Sequence, residues 1–211
     1  MPPQKPTTIT NALLNTYLSI MKDIKYRVEA MRNIYELAIK EKRVDPQASL
    51  DFTYLQVRMI CELIAVGCIA MHNDLDKIKR AHGKYQPKQI LKTLDELHPD
   101  FYPIPTTDPV RNEQGHYLFN DLPSGYLTKD ELPKVWATCN DKLHIGSFKH
   151  FLSQDTGPVN FTQAGEFMRK IKRLLSNHRI PLFGQKSNIL WIMNKEKKAP
   201  TYIDIWPLAS K

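Results

Sequence analysis

Arg58 and Glu62 lie in the middle of Leu50–Met71, a run that is otherwise almost uncharged. An ionised group is costly to bury there unless it is paired. Four residues apart on a helix, the two share one face. The planar guanidinium of Arg58 suits a phosphate, and Glu62 would hold it in position. A second pair, Asn140 and His144, has the same spacing on the flank of another predicted helix, where an imidazole can act as general base or acid. Brought to one cleft, Arg58, Glu62, Asn140 and His144 would hold a phosphate while His144 moves a proton at a neighbouring ribose hydroxyl. The competing reading is structural: an ion pair that fixes geometry, and a histidine bonded to backbone at a helix end.

A different chemistry is carried by 162–177. Phe167, Met168, Ile171, Leu174 and Leu175 fall on one face of that predicted helix. Arg169, Lys170, Lys172 and Arg173 fall on the other. Four cations on one face are either a solvated surface or a phosphate-binding patch whose affinity depends on salt. The net charge of the chain is +8, and residues 151–211, with ten Lys/Arg against four Asp/Glu, carry +6 of it. The predicted partners are therefore RNA or an acidic protein.

No Cys/His spacing suits a metal, and no glycine-rich phosphate loop or serine-hydrolase elbow occurs, so neither metal nor cofactor is expected. The odd set of Cys61, Cys68 and Cys139 reads as buried, reduced thiols in a cytoplasmic protein. Arg58 and Glu62 interrupt the best apolar run, so no membrane span is predicted.

These residues must be positioned by helices. Residues 1–9 form a flexible, Pro/Thr-rich start, and 10–211 reads as one domain. A long helix starts near Thr10, with apolar positions at Leu14, Tyr17, Met21, Ile24, Val28, Met31, Tyr35 and Ala38. That 3–4 spacing suits an intramolecular bundle or a homodimer through this helix. Asp45-Pro46 starts the second helix. Placing Arg58 at 0° puts Asp51, Glu62 and His72 within about 40° of it, a narrow polar stripe on an apolar helix. Gly67 lies in the apolar arc, where a neighbouring helix can approach. Short helices follow over 74–82 and 87–97. A proline-rich stretch over 99–105 cannot be helical, and 110–120 reads as a small hairpin around Gly115. Thr128 and Glu131 form a capping box, with Pro133 moving the true start. Strand-like pieces at 180–183, 188–193 and 201–206 close the chain, with a turn at 195–198. The fold class is α+β, mainly α: a helical bundle with a small C-terminal antiparallel β-sheet over about 180–206.

Three segments carry a resemblance: 55–65, Pro99-Asp100-Phe101-Tyr102-Pro103, and Leu127-Thr128-Lys129 leading into 139–144. They resemble a family of small uncharacterised bacterial proteins, which implies no activity. The helical layout also resembles the HEPN superfamily, whose members include metal-independent ribonucleases marked by Arg, four to six residues, then His. Arg111…His116 and Arg173…His178 match that spacing. With nine Arg and seven His in the chain, about one match is expected by chance. His178 reads instead as a cationic cap at a helix C-terminus. The resulting expectation is a cytoplasmic bacterial module that binds RNA or protein. Its alternatives are a HEPN-like ribonuclease acting as toxin or defence effector through Arg58 and His144, and a structural oligomerisation protein.

Overall fold

In a computed structural model the described residues are 10–72, 86–144, 158–182, 188–193 and 201–205. Helix α1 spans Asn11–Ile39, and the Thr10 hydroxyl accepts from the Leu13 N–H at 3.3 Å. Helix α2 spans Pro46–Met71, and the Asp45 carboxylate accepts from the Ala48 N–H at 2.9 Å. In each, a side-chain oxygen satisfies one of the N–H groups a helix start leaves open. Helix α3 is Pro87–Asp95, α4 is Leu132–Leu143 and α5 is Thr162–Leu175. The capping box before α4 forms in both directions. Thr128 N–H donates to Glu131 Oε2 at 3.1 Å, and Glu131 N–H donates to Thr128 Oγ1 at 3.2 Å. Regular helix begins only at Leu132, with Pro133 in its first turn, where a missing N–H costs nothing.

Helix α2 is the centre of the bundle, with α1, α3, α4 and α5 all packed on it. It is long and apolar enough to cross a membrane by length and composition, and 67% of its most apolar window is buried inside the protein. Gly67 explains how α1 comes so close. A Cβ there would meet Tyr17 Cε2 at 3.0 Å.

The strands β1 (Ile104–Pro105), β4 (Asn177–Pro181), β5 (Asn188–Ile192) and β6 (Thr201–Ile205) form one antiparallel sheet in the order β1-β4-β5-β6. The sequence predicts its last two strands closely, but not β1 or the start of β4. β1 is an edge strand, and an edge tolerates proline because one side needs no N–H donor. β4 starts at Asn177 rather than Ile180 because each polar residue at its start finds a tertiary partner. Asn177 Nδ2 donates to Asp108 Oδ1 at 2.6 Å, and Arg179 makes a two-pronged contact with Asp121 at 2.9 and 2.7 Å. His178 bonds Tyr17. Strands β2 (Val110–Arg111) and β3 (Tyr117–Leu118) form the expected hairpin, with Gly115 at φ +83°, a conformation that favours glycine. The helix expected over 74–82 and the turn at 195–198 lie outside the described residues.

Sheet and bundle meet at one buried polar junction. Tyr17, His178 and Trp191 are all almost fully buried. His178 Nδ1 lies 3.2 Å from the Leu175 carbonyl, which can only accept, so Nδ1 carries the proton. Nε2 is then an acceptor, and the Tyr17 hydroxyl donates to it at 2.7 Å. Burial pushes the imidazole down to about 4. His178 does bond the end of α5, but as a neutral ring: the expected cationic cap is corrected, because burial removes the water a charge would need.

Candidate functional site

The Arg58–Glu62 pair faces α4. Arg58 Nε donates to Glu62 Oε1 at 3.3 Å, and the Trp136 indole N–H donates to the same oxygen at 2.8 Å. The guanidinium lies 5.3 Å from the centre of the Trp136 ring, so a cation–π contact closes the triangle. Both charged side chains remain about 30% exposed. Cys139, one turn further on, lies within electrostatic reach of Arg58 and Tyr54, nearer the start of α2. α4 therefore runs antiparallel to α2. His144 is the exposed C-cap of α4, about 12 Å along the axis from Trp136 at 1.5 Å per residue. Its N–H donates to the Asn140 carbonyl at 3.2 Å. Among the described residues, no hydrogen bond joins the side chain of Asn140 or His144 to Arg58 or Glu62.

The polar stripe on α2 is narrower than the angular reading makes it. His72 is fully buried. As C-cap it has left the helix, with φ −126° and ψ 22°, so its helical angle no longer applies. Its ring stands edge-on to His98, centres 5.0 Å apart, and burial together with His98 pushes it down to about 4. The three cysteines are buried and free, as their composition suggested. Burial raises all three thiols, Cys139 to about 12, which leaves them unreactive.

The basic face of α5 is divided. Lys170 Nζ lies 2.7 Å from Glu131 Oε1 and 3.7 Å from Glu166 Oε1. The hydrogen bond to Lys170 is the main reason Glu131 titrates below its ordinary value. Arg173 is exposed and its Nε donates to the Ser124 carbonyl at 2.9 Å, whereas His178 is buried in β4. The Arg173…His178 spacing thus joins a surface residue to a core one. In the other match, Arg111 donates to the Gly115 carbonyl at 3.1 Å inside the hairpin turn, and His116 is exposed. Arg169 and Lys172 are exposed, and Lys172 edges a different feature.

That feature is a hollow of about 700 Å³ between α1 and α5. Ile24, Val28, Met31 and Tyr35 form one wall, and Phe161, Ala164, Gly165 and Met168 line the other. Leu175, Thr53 and Met193 extend the lining. The walls run antiparallel, since Tyr17 meets His178 at one end and Tyr35 meets Phe161, rings 5.2 Å apart and edge-on, at the other. Gly165, midway along this wall, is exposed, and a Cβ there would find nothing within 4 Å. Lys25, Arg32 and Lys172 edge the hollow against one acid, Glu29, which is paired with Arg32. Sequence periodicity places Val28, Met31, Tyr35 and Met168 on apolar faces and reads them as core. It carries no sign that these two faces stand apart. The one local signal is Gly165, a glycine inside a strongly amphipathic helix, where alanine would be more stable.

No family model, curated protein or solved structure matches this chain.

Proposed function

We propose that this protein is a binding module and that its ligand-accepting surface is the slot between α1 and α5. The observation that carries this reading is the slot itself. It is a concave, mostly apolar space of about 700 Å³, within the range of about 300–1,000 Å³ typical of ligand sites. Its wall includes three methionines, Met31, Met168 and Met193, side chains that adapt to varied apolar shapes. In the Arg58–Glu62–Trp136 cluster one carboxylate oxygen is held by both partners, while the terminal nitrogens of Arg58 make no hydrogen bond among the described residues. The test uses N-phenyl-1-naphthylamine, an uncharged dye that fluoresces in apolar sites. The protein should bind it with one site per chain, and Gly165→Trp, which fills the slot, should lose that site while the far-ultraviolet circular dichroism is kept. Undiminished binding by a folded Gly165→Trp would place the site elsewhere.

A second reading, RNA binding, is favoured by the exposed Arg169 and Lys172 and by the +6 excess of the C-terminal part. It requires retention of RNA at low salt that disappears when Arg169 and Lys172 are neutralised. A third reading is the HEPN-like ribonuclease. It requires cleavage of RNA in the presence of a chelator, abolished by Arg58→Ala or His144→Ala in folded protein.

A further inference from the structure

The side of α2 turned away from α5 is uncovered, and the charges beside it complement themselves. Leu55, Val66 and Met59 fall about 60–100° round the helix from Arg58, at 100° per residue. This strip lies between α4, which meets α2 at Arg58 and Tyr54, and α1, which meets it at Gln56 and Gly67. Thr53, which lines the slot, lies about 140° from Arg58 in the opposite sense. Leu55 and Val66 are each 39% exposed. Tyr26, 72% exposed, continues the apolar strip onto α1, next to Arg27, whose Nη1 donates to Met59 Sδ at 3.0 Å. Among the described residues, Arg58 Nη1 and Nη2 and Glu62 Oε2 make no hydrogen bond. We infer that this face binds a second copy of the chain. The two α2 helices pack antiparallel about a two-fold axis, and each Arg58 donates to the free oxygen of Glu62 of the partner subunit.

The spacing along α2 sets the register. A two-fold axis crossing the helix between Ile60 and Cys61 brings Leu55 opposite Val66 of the partner subunit, because the two are equally far from that point. The midpoint of Arg58 and Glu62 falls about half a residue away, ~0.8 Å along the helix at 1.5 Å per residue. One register therefore serves the apolar pairs and the charged pairs together. A two-fold axis also keeps each residue on its own flank of the interface. Arg58 and Glu62 share the flank nearer α4, so they face each other across it. Two guanidiniums and two carboxylates then alternate in sign, and the nitrogens and oxygens left open in one chain find partners in the other. An unlike partner would need this pattern built into it, whereas a second copy carries it already.

The experiment is sedimentation equilibrium of the full chain, with far-ultraviolet circular dichroism to check each fold. The parent protein should sediment at twice the chain mass in the micromolar range. Val66→Lys changes an exposed side chain and should weaken the dimer at least about a hundredfold, because a dimer would bury two lysines. Arg58→Glu and Glu62→Arg each set like charges against each other and should be monomeric alone. Mixed in equal amounts they should form a heterodimer, since one then offers only acids and the other only bases. Leu118→Lys, on the exposed hairpin, should dimerise as the parent does. A parent that stays monomeric overturns the inference and leaves the face to an unlike partner. A dimer that folded Val66→Lys leaves intact, or folded charge variants that do not combine, also overturns it. None of these outcomes bears on the slot, which lies on the far side of α2.

Discussion

The two sides of α2 meet their neighbours in opposite ways. Toward α4, a costly pair of charges is closed on itself: Glu62 accepts from both Arg58 and Trp136, and Arg58 covers the Trp136 ring. Toward α1 and α5 the polar groups are paired as well, Gln56 with Arg27 at 2.8 Å and Tyr54 with Gln163 at 3.1 Å, yet the space between the walls is left open. The contrast teaches that the residues with the most obvious chemistry need not form the site. An unfilled apolar slot forgoes packing energy that a ligand can recover.

The comparison breaks most severely at the junction that holds the slot together. Tyr17→Ala removes a buried ring against Trp191, centres 4.5 Å apart, and orphans His178. It should cost about 3–5 kcal/mol in denaturant unfolding, and a loss under 1 kcal/mol would show the junction to be incidental. Acid should act on the same side. His178 has a folded value of about 4, below the ordinary 6.5. Its contribution is therefore complete above pH 6.5 and is lost as pH falls toward 4, because the unfolded chain takes up the proton first. The loss amounts to about 3 kcal/mol at 1.4 kcal/mol per pH unit. His72, at about 4 for the same main cause, adds to it in the same direction. Thermal melts across pH 7 to 4 should show a steady fall, and a flat profile would contradict neutral, buried rings.

The α4 side should respond more gently. Glu62→Ala leaves Arg58 and the Trp136 indole without their shared acceptor, at a cost of about 1–3 kcal/mol. Glu62→Gln keeps an acceptor for Trp136 and should cost less than half of that. If both cost the same, the charge rather than the hydrogen bond holds the seam. The smallest effects come from two helical glycines, one on each wall contact. Gly67→Ala drives a Cβ against Tyr17, which its hydrogen bond to His178 and its ring contact with Trp191 keep from yielding. It should destabilise by about 1 kcal/mol net. Gly165→Ala meets open space and should stabilise by up to about 1 kcal/mol. Opposite signs for the same substitution would sharpen the distinction between a filled contact and an open slot.

The local parts of this fold are legible in the sequence. Thr10 and Asp45 announce helix starts, Thr128 with Glu131 announces a third, and Gly67 announces a close approach, because each acts through neighbours a few residues away or by lacking a side chain. Partners distant in the chain are not legible. The sequence puts Trp136 on a core face and does not foresee its bond to Glu62. It misses β1 because two prolines disguise an edge strand, and it starts β4 late because Asp108, Tyr17 and Asp121 are what make Asn177, His178 and Arg179 acceptable there. The slot is the extreme case. Each wall looks like ordinary core, and only the spacing between the two helices makes it a site.

One spectrum tests both sides of the comparison. With 13C-methyl methionine and 15N-tryptophan labels, a titration with N-phenyl-1-naphthylamine should shift the methyl signals of Met31, Met168 and Met193, which line the slot, and leave the Trp136 indole signal in place. A shift of the Trp136 indole with the three methyl signals unmoved would mean that the α2–α4 seam, and not the slot, is where this protein binds.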